Sequence, residues 1–361
     1  MLVVFRTDSS FLIGAGHLMR CKALADELSR YGARVVFVCR DLTGNSTSLL
    51  HAGGLETIIL GRGIFDETHE TCPKEGGMEN SSYFQQIEDS VQTSFAIGGM
   101  KPDWLIVDHY SLDWEWERRM SPRVGKIMVI DDMTDRFHDC DLLLNQNLSS
   151  DSMPVYAGLL PEKARQILGP QFALLRPEFH ECRRNLSPRV GSMKRILISF
   201  GSVDLSGESV KALEAVRMFD REDVITDVVV GSTNPCSTQL YAMSKYGSKI
   251  KFHCQTDSMA KLMAQTDLSI GAGGITSWER CCLGLPAIVK PIALNQLSLT
   301  ERLTEKGAIH LIPFSVQTVP EDYLAALEAM DSRRLFEMSR AGMELVDGLG
   351  CRRVAQCLLD S

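Results

Sequence analysis

The chain has 361 residues, 44% hydrophobic and 23% charged, which at about 150 residues per domain suits roughly two globular cores. A net charge of −8 excludes broad binding to nucleic acid or anionic membranes, so any grip on phosphate has to be local. The 11 cysteines form no CxxC pair and show no metal-ligand spacing, which predicts free thiols in a reducing compartment and no metal site.

No apolar run approaches the roughly 20 residues of a membrane span. The first run, 2–5, is too short for a signal peptide, so a cytoplasmic protein is expected. In the first half, short β-branched runs predict strands at 2–5, 35–39, 57–60, 104–107, 127–130 and 142–144. Helical periodicity lies between them. It is clearest over 18–31, where Leu18, Cys21, Leu24, Ala25 and Leu28 share a face. The polar segment 62–83, with its Gly-Gly pair, predicts a long loop. Segment 151–194 carries Pro154, Pro161, Pro170, Pro177 and Pro188 and reads as a connector.

Alternation then restarts, with strands at 195–200, 224–230, 250–253, 268–270 and 287–289. Helices are expected at 206–219, 237–246, 258–265, 276–283 and 296–306, and only helical patterns follow, at 321–330, 332–346 and 352–359. Strands alternating with helices predict an α/β protein of two Rossmann-like, doubly wound domains facing a cleft. The expected limits are 1–150, the connector 151–194, and 195–361 with the terminal helices.

Gly14-Ala15-Gly16-His17 follows the first strand and opens a helix. A glycine-lined turn lets backbone approach a ligand, and a helix start favours negative charge. Imidazole titrates near neutrality, so His17 is a candidate base beside an anionic substrate; the alternative is a tight turn with a histidine at the helix start. Asp8 could orient that imidazole, bind a sugar hydroxyl, or serve as a turn residue. Arg20 reads as solvated. Gly271 to Glu279, sequence GAGGITSWE, repeats the strand–glycine turn–helix arrangement. It is neither a Walker loop nor a GxGxxG fingerprint. Gly273, Gly274, Ile275 and Thr276 could cradle phosphate with backbone N–H groups. Glu279 is either a dipole partner or an acceptor for ribose hydroxyls.

Asn295-Gln296 could face a sugar or cap a helix. Asp108-His109-Tyr110, Asp131-Asp132 and Asn145-Gln146-Asn147 sit where strands end, the rim at which ligands gather in open α/β sheets. Asp139-Cys140-Asp141 looks like a metal-sugar-nucleotide motif but opens a strand, so it reads as structural. Trp104, Trp114 and Trp116 read as packing rather than a base-stacking platform.

The ordered set Arg-x-Asp, Gly-x-Gly-His-x-x-Arg, Asp-His-Tyr, Asp-Asp, Asp-Leu-Leu-Leu-Asn, Ser-Phe-Gly-Ser, Gly-Ala-Gly-Gly-x-Thr-Ser-Trp-Glu and Asn-Gln spans about residues 1–310. It resembles the UDP-2,4-diacetamido-2,4,6-trideoxy-β-L-altropyranose hydrolases of pseudaminic acid biosynthesis, a group similar to the GT-B glycosyltransferase of lipid II synthesis. The resemblance implies UDP held mainly by the C-terminal domain. His17 is then the general base, brought to the anomeric carbon by Gly14, Ala15 and Gly16. Gly273, Gly274, Ile275 and Thr276 hold the diphosphate and Glu279 the ribose. Asn295 and Gln296 face the sugar, and Met259 lies at the uracil slot. Asp8, Asp108 and Tyr110 complete the expected substrate contacts. Neither a metal nor another cofactor is implied, and a link to flagellin glycosylation follows from the pathway.

UDP is a good leaving group, so one base suffices where ordinary glycosidases need two carboxylates. Attack by water from the opposite face predicts inversion. The competing readings are a GT-B transferase using the same donor, a hydrolysing UDP-sugar 2-epimerase, and a noncatalytic nucleotide-sugar-binding protein. The UDP-sugar is the one expected partner, and the oligomeric state stays open, a monomer being compatible.

Overall fold

The computed structural model describes residues 1–11, 13–63, 79–148, 155–201, 203–245, 249–314 and 317–361. The chain divides into two compact units, Met1–Leu174 with Cys351–Ser361, and Leu175–Gly350.

The described residues of the first unit form a seven-stranded parallel sheet. Its strands are β1 (Leu2–Thr7), β2 (Arg34–Arg40), β3 (Glu56–Leu60), β4 (Trp104–Asp108), β5 (Lys126–Ile130), β6 (Leu142–Asn145) and β7 (Arg165–Leu168), in the order β3-β2-β1-β4-β5-β6-β7. Helices α1 (Gly16–Arg30), α2 (Ser48–Ala52), α3 (Glu79–Ile97) and α4 (Trp114–Met120) connect them. A parallel sheet is buried on both faces, which is why its strands are nearly continuous apolar runs. Along β1, Val3 and Phe5 enter one core with Phe37, whose ring stacks 4.9 Å from that of Phe5. Val4 enters the opposite core with Val36 and Val38. The face of α1 predicted from periodicity, Leu18, Cys21, Leu24, Ala25 and Leu28, is the buried one.

In the second unit the described residues form a six-stranded parallel sheet in the order β10-β9-β8-β11-β12-β13. Its strands are β8 (Arg195–Ser199), β9 (Ile225–Val230), β10 (Ile250–Cys254), β11 (Leu268–Gly271), β12 (Ala287–Val289) and β13 (His310–Leu311). Its helices are α5 (Pro177–Arg183), α6 (Glu208–Met218), α7 (Ser237–Ser244), α8 (Met259–Ala264), α9 (Thr276–Cys282), α10 (Leu297–Glu305), α11 (Pro320–Glu328) and α12 (Ser332–Leu345). Ile196, Ile198, Val228, Ile270 and Ile288 meet Leu213, Tyr323 and Leu335 in its core.

The units divide the chain at other points than the expected 150 and 195. The stretch read as a connector contributes β7 to the first sheet and α5 to the second unit, where Arg183 donates to the carbonyls of Cys282 at 2.6 Å and Met343 at 2.8 Å. The terminal helix Gly350–Leu359 serves the first unit rather than the second. Val354, Ala355 and Leu358 close the core around Val3 and Phe5, and Trp104 Nε1 donates to the Leu358 carbonyl at 3.1 Å. An amphipathic pattern announces an apolar face without saying which core receives it. Of the loop expected over 62–83, residues 79–83 begin α3, and 64–78 lie outside the described residues. Among the described residues no helix is long and apolar enough to cross a membrane.

Each sheet reverses its strand order once, between β1 and β4 in the first unit and between β8 and β11 in the second. The crevice outside the carboxyl ends of such strands is where open α/β sheets take ligands. Thr7 pairs with Asp108 at the first reversal, and Ser199 with Gly271 at the second. The glycine turns found in the sequence therefore leave the sheets at these two points.

Candidate active site

Beyond β1 the chain turns sharply. The Gly14 N–H donates to the Ser10 carbonyl at 2.9 Å, and Gly14 has φ +75°, a conformation that favours glycine. With Ala15 as N-cap, α1 starts at Gly16 and places His17 in its first turn. The His17 side chain is 9% exposed, and its Nδ1 lies 2.6 Å from Asp108 Oδ1 at the end of β4. A carboxylate only accepts, so Nδ1 carries the hydrogen of this contact, and in the neutral imidazole the lone pair then lies on Nε2. The Tyr110 ring meets the imidazole edge-on at 4.5 Å, and its hydroxyl donates to Asp132 Oδ2 at 3.1 Å.

Arg20, read from sequence as solvated, is 1% exposed. It lies three residues past His17 and so shares its side of the helix. Its Nε and Nη2 donate to both Asp108 oxygens at 2.6 Å, and its Nη1 lies 2.7 Å from Asp132. Burial alone would push the Asp108 carboxyl up. The Arg20 guanidinium, and after it His17, hold it well below the usual carboxylate range.

Asp8 does not orient the imidazole, and its oxygens are spent within the unit. It is 3% exposed. Oδ1 accepts from Arg6 Nη1 at 2.6 Å and the Arg40 N–H at 2.7 Å; Oδ2 accepts from Arg6 Nη2 at 2.9 Å and His109 at 3.1 Å. Arg6 also reaches Asp89 on α3, whose carboxyl is lowered to about 2 by Arg6 against its own burial. Asp108 is equally enclosed, so it reaches a ligand only through His17. Asp131 accepts from the N–H groups of Met133 and Thr134 and from the Tyr156 hydroxyl. Asp141 accepts the Ile127 N–H at 2.9 Å, the structural part expected of that motif.

In the second unit the glycine turn leaves β11 through places that admit no side chain. A Cβ on Gly271 would overlap the Ser199 carbonyl, and one on Gly273 would overlap Thr300 Cγ2. Gln296 does not spend its carbonyl on a ligand. Its Oε1 accepts the N–H of Gly273 at 3.1 Å and of Ile292 at 3.0 Å, tying the turn to the segment after β12. The N–H groups of Gly274, Ile275 and Thr276 donate nowhere among the described residues. Glu279 lies in the first turn of α9. Arg176 approaches its Oε1 at 3.4 Å, and burial raises its carboxyl in spite of that arginine. Asn295 is exposed on the turn Leu294–Gln296, and α10 has no side-chain cap. Met259 opens α8, half-buried, beyond β10. Among the described residues no three His, Cys, Asp or Glu side chains are grouped to hold a metal ion.

Replacing Gly273 with Ala is expected to destabilise the protein by about 1–3 kcal/mol through overpacking. Thr300→Ser removes the opposing methyl while keeping the hydroxyl that donates to the Gln296 carbonyl at 2.8 Å. Thermal denaturation of both single variants and the double variant should therefore show favourable coupling; strictly additive losses would mean that the two groups do not meet.

No family model matches the chain. It is 25% identical over 295 residues to an uncharacterized protein of Methanocaldococcus jannaschii, spanning 55% of that protein's length. It is 28% identical over 312 residues to the UDP-2,4-diacetamido-2,4,6-trideoxy-beta-L-altropyranose hydrolase of Campylobacter jejuni, covering 85% of this chain and 97% of that one. It is 29% identical over 359 residues to the spore coat polysaccharide biosynthesis protein SpsG of Bacillus subtilis, covering 98% and 96%. Among solved structures, MurG of Acinetobacter baumannii matches with TM-score 0.65 and 14% identity over 100% of this chain and 99% of that chain. The calicheamicin glycosyltransferase CalG4 matches with TM-score 0.65 and 16% identity over 99% and 97%. The chain is thus similar in sequence to a UDP-diacetamido-sugar hydrolase and to a polysaccharide biosynthesis protein, and its fold is the two-domain, parallel-sheet α/β architecture of the GT-B glycosyltransferases.

Proposed function

We propose that this protein hydrolyses UDP-2,4-diacetamido-2,4,6-trideoxy-β-L-altropyranose, the substrate named for its Campylobacter relative, to UDP and the free sugar. The observation that carries the reading is the His17–Asp108 pair at the first strand reversal; a neutral imidazole that donates from Nδ1 to that carboxylate offers Nε2 as a proton acceptor. In this reading Nε2 takes a proton from water as the water attacks the anomeric carbon and the C–O bond to UDP breaks. Attack opposite the leaving group inverts that carbon. General-base assistance of this kind is worth about 10²–10⁴-fold. Further stabilisation comes from donors aimed at the diphosphate as its charge grows, for which the N–H groups of Gly274, Ile275 and Thr276 are suited. Glu279 Oε2 accepts the ribose hydroxyls, Met259 lies by the uracil, and Gln296 Nε2 and Asn295 meet the sugar. The reaction runs without a metal, in the cytoplasm, where nucleotide sugars are made.

The test is incubation with the UDP-sugar and a chelator, without any acceptor. UDP release at a steady rate, with NMR showing the inverted anomer before mutarotation, is the expected result. Release that starts only on adding an acceptor would sink the hydrolase reading in favour of a transferase.

A further inference from the structure

Behind the 271–274 turn lies a buried cation that forms no salt bridge among the described residues and feels the charge of the neighbouring Glu279. Arg280 is 1% exposed. Its Nη2 donates to the Ala272 carbonyl at 2.5 Å and to Ser277 Oγ at 3.0 Å. Nε and Nη1 are buried without a hydrogen-bond partner. No carboxylate among the described residues forms an ion pair with Arg280, and the adjacent Glu279 is paired with Arg176. Burial pulls its pKa down to about 10.

A buried charge left unpaired is expensive and is retained where something compensates it. Nη1 stands 3.0 Å from the point a Cβ on Gly271 would occupy. The guanidinium therefore packs directly against the backbone of Gly271, where the turn begins. The same turn carries the uncommitted N–H groups of Gly274, Ile275 and Thr276. An anion held by them would be separated from Arg280 by a layer of protein that excludes water, where charges interact far more strongly than in solvent.

We infer that Arg280 is a positioning residue for a nucleoside diphosphate: it fixes the turn through the Ala272 carbonyl, and its enclosed charge is completed by the diphosphate that the turn receives. This rests on the UDP-binding role proposed above for 271–279. The guanidinium touches neither phosphate nor sugar, so its influence should scale with ligand charge rather than with contact area. Uridine, which lacks the phosphates, serves as the control.

The experiment is calorimetry of UDP and of uridine with the full-length protein, wild type, Arg280→Met and Arg280→Lys, together with the melting temperature of each without ligand. Arg280→Met is expected to weaken UDP by about tenfold or more and uridine by less than about twofold. Without ligand it should melt at or above the wild type, since an unpaired buried charge has gone. Arg280→Lys keeps the charge and should keep most of the preference for UDP over uridine. An unchanged UDP-to-uridine ratio in Arg280→Met would overturn the inference. So would failure of both variants to fold, or equal loss of both ligands with a lowered melting temperature, because the guanidinium would then be a structural support. Failure of the wild type to bind UDP would overturn the underlying reading, and is seen before any substitution is made.

Discussion

Replacing His17 with Asn is expected to lower kcat for UDP release by about 10²–10⁴-fold, with UDP affinity unchanged. Asparagine is the informative choice. Its side-chain amide can still donate toward Asp108 Oδ1, which accepts from His17 at 2.6 Å, so the buried carboxylate keeps a partner. It also keeps polar bulk beside Tyr110, whose ring lies 4.5 Å from the imidazole. What it lacks is a nitrogen that can take a proton from water. Loss of turnover with intact UDP binding by calorimetry would therefore isolate the base. Turnover near the wild-type rate would remove His17 from the reaction, and loss of UDP binding would show that the substitution had disturbed more than proton transfer.

Asp108→Asn is expected to damage both catalysis and stability. An amide in place of the carboxylate no longer demands a hydrogen on Nδ1, so the imidazole can present its N–H to water instead of its lone pair. The corresponding substitution in the serine-protease triad costs about 10⁴-fold in kcat, and a loss of about 10³–10⁴-fold is expected here on the same grounds. Stability falls because Arg20, 1% exposed, loses the anion that takes its Nε and Nη2, leaving only Asp132. Breaking a buried pair in this way costs about 3–5 kcal/mol. The pH dependence follows from the sign of the shift. The Asp108 carboxyl is held below its ordinary range, so its stabilising contribution is full above the unfolded value of about 4 and is lost as pH falls through the folded value. Chemical denaturation should thus show the largest gap between wild type and variant near neutrality, narrowing in acid below about pH 4. A gap that stayed constant into acid would mean that the ionised carboxylate is not what Arg20 and His17 hold.

The alternation of strands and helices, the apolar face of α1 and both glycine turns were open to reading from sequence because each is a local pattern with a period or a required residue type. The partners were not. His17 and Asp108 are 91 positions apart, and what joins them is the adjacency of β1 and β4, a property of strand order that neither segment encodes alone. The same holds for Gln296, whose carbonyl reaches back 23 positions to the Gly273 N–H. Arg20 was misread for a different reason: its spacing from His17 was visible, but whether a charged helical residue points inward depends on an anion waiting there. Asp8 was promising as a polar residue at a strand exit, and only the three groups converging on it show that its acceptors are used up. β7 escaped notice because an edge strand of four residues among prolines carries too little apolar signal.

The return of the last eleven residues, 351–361, to the first unit has a consequence for how the chain is made. On the ribosome the second unit is continuous and complete once Gly350 has emerged, whereas the half synthesised first still lacks the helix that seals Val3, Phe5 and Trp104. The amino-terminal half, with its His17–Asp108 pair, reaches its finished state only once residues 351–361 have followed the whole second unit out of the ribosome, so translation order and maturation order run opposite ways.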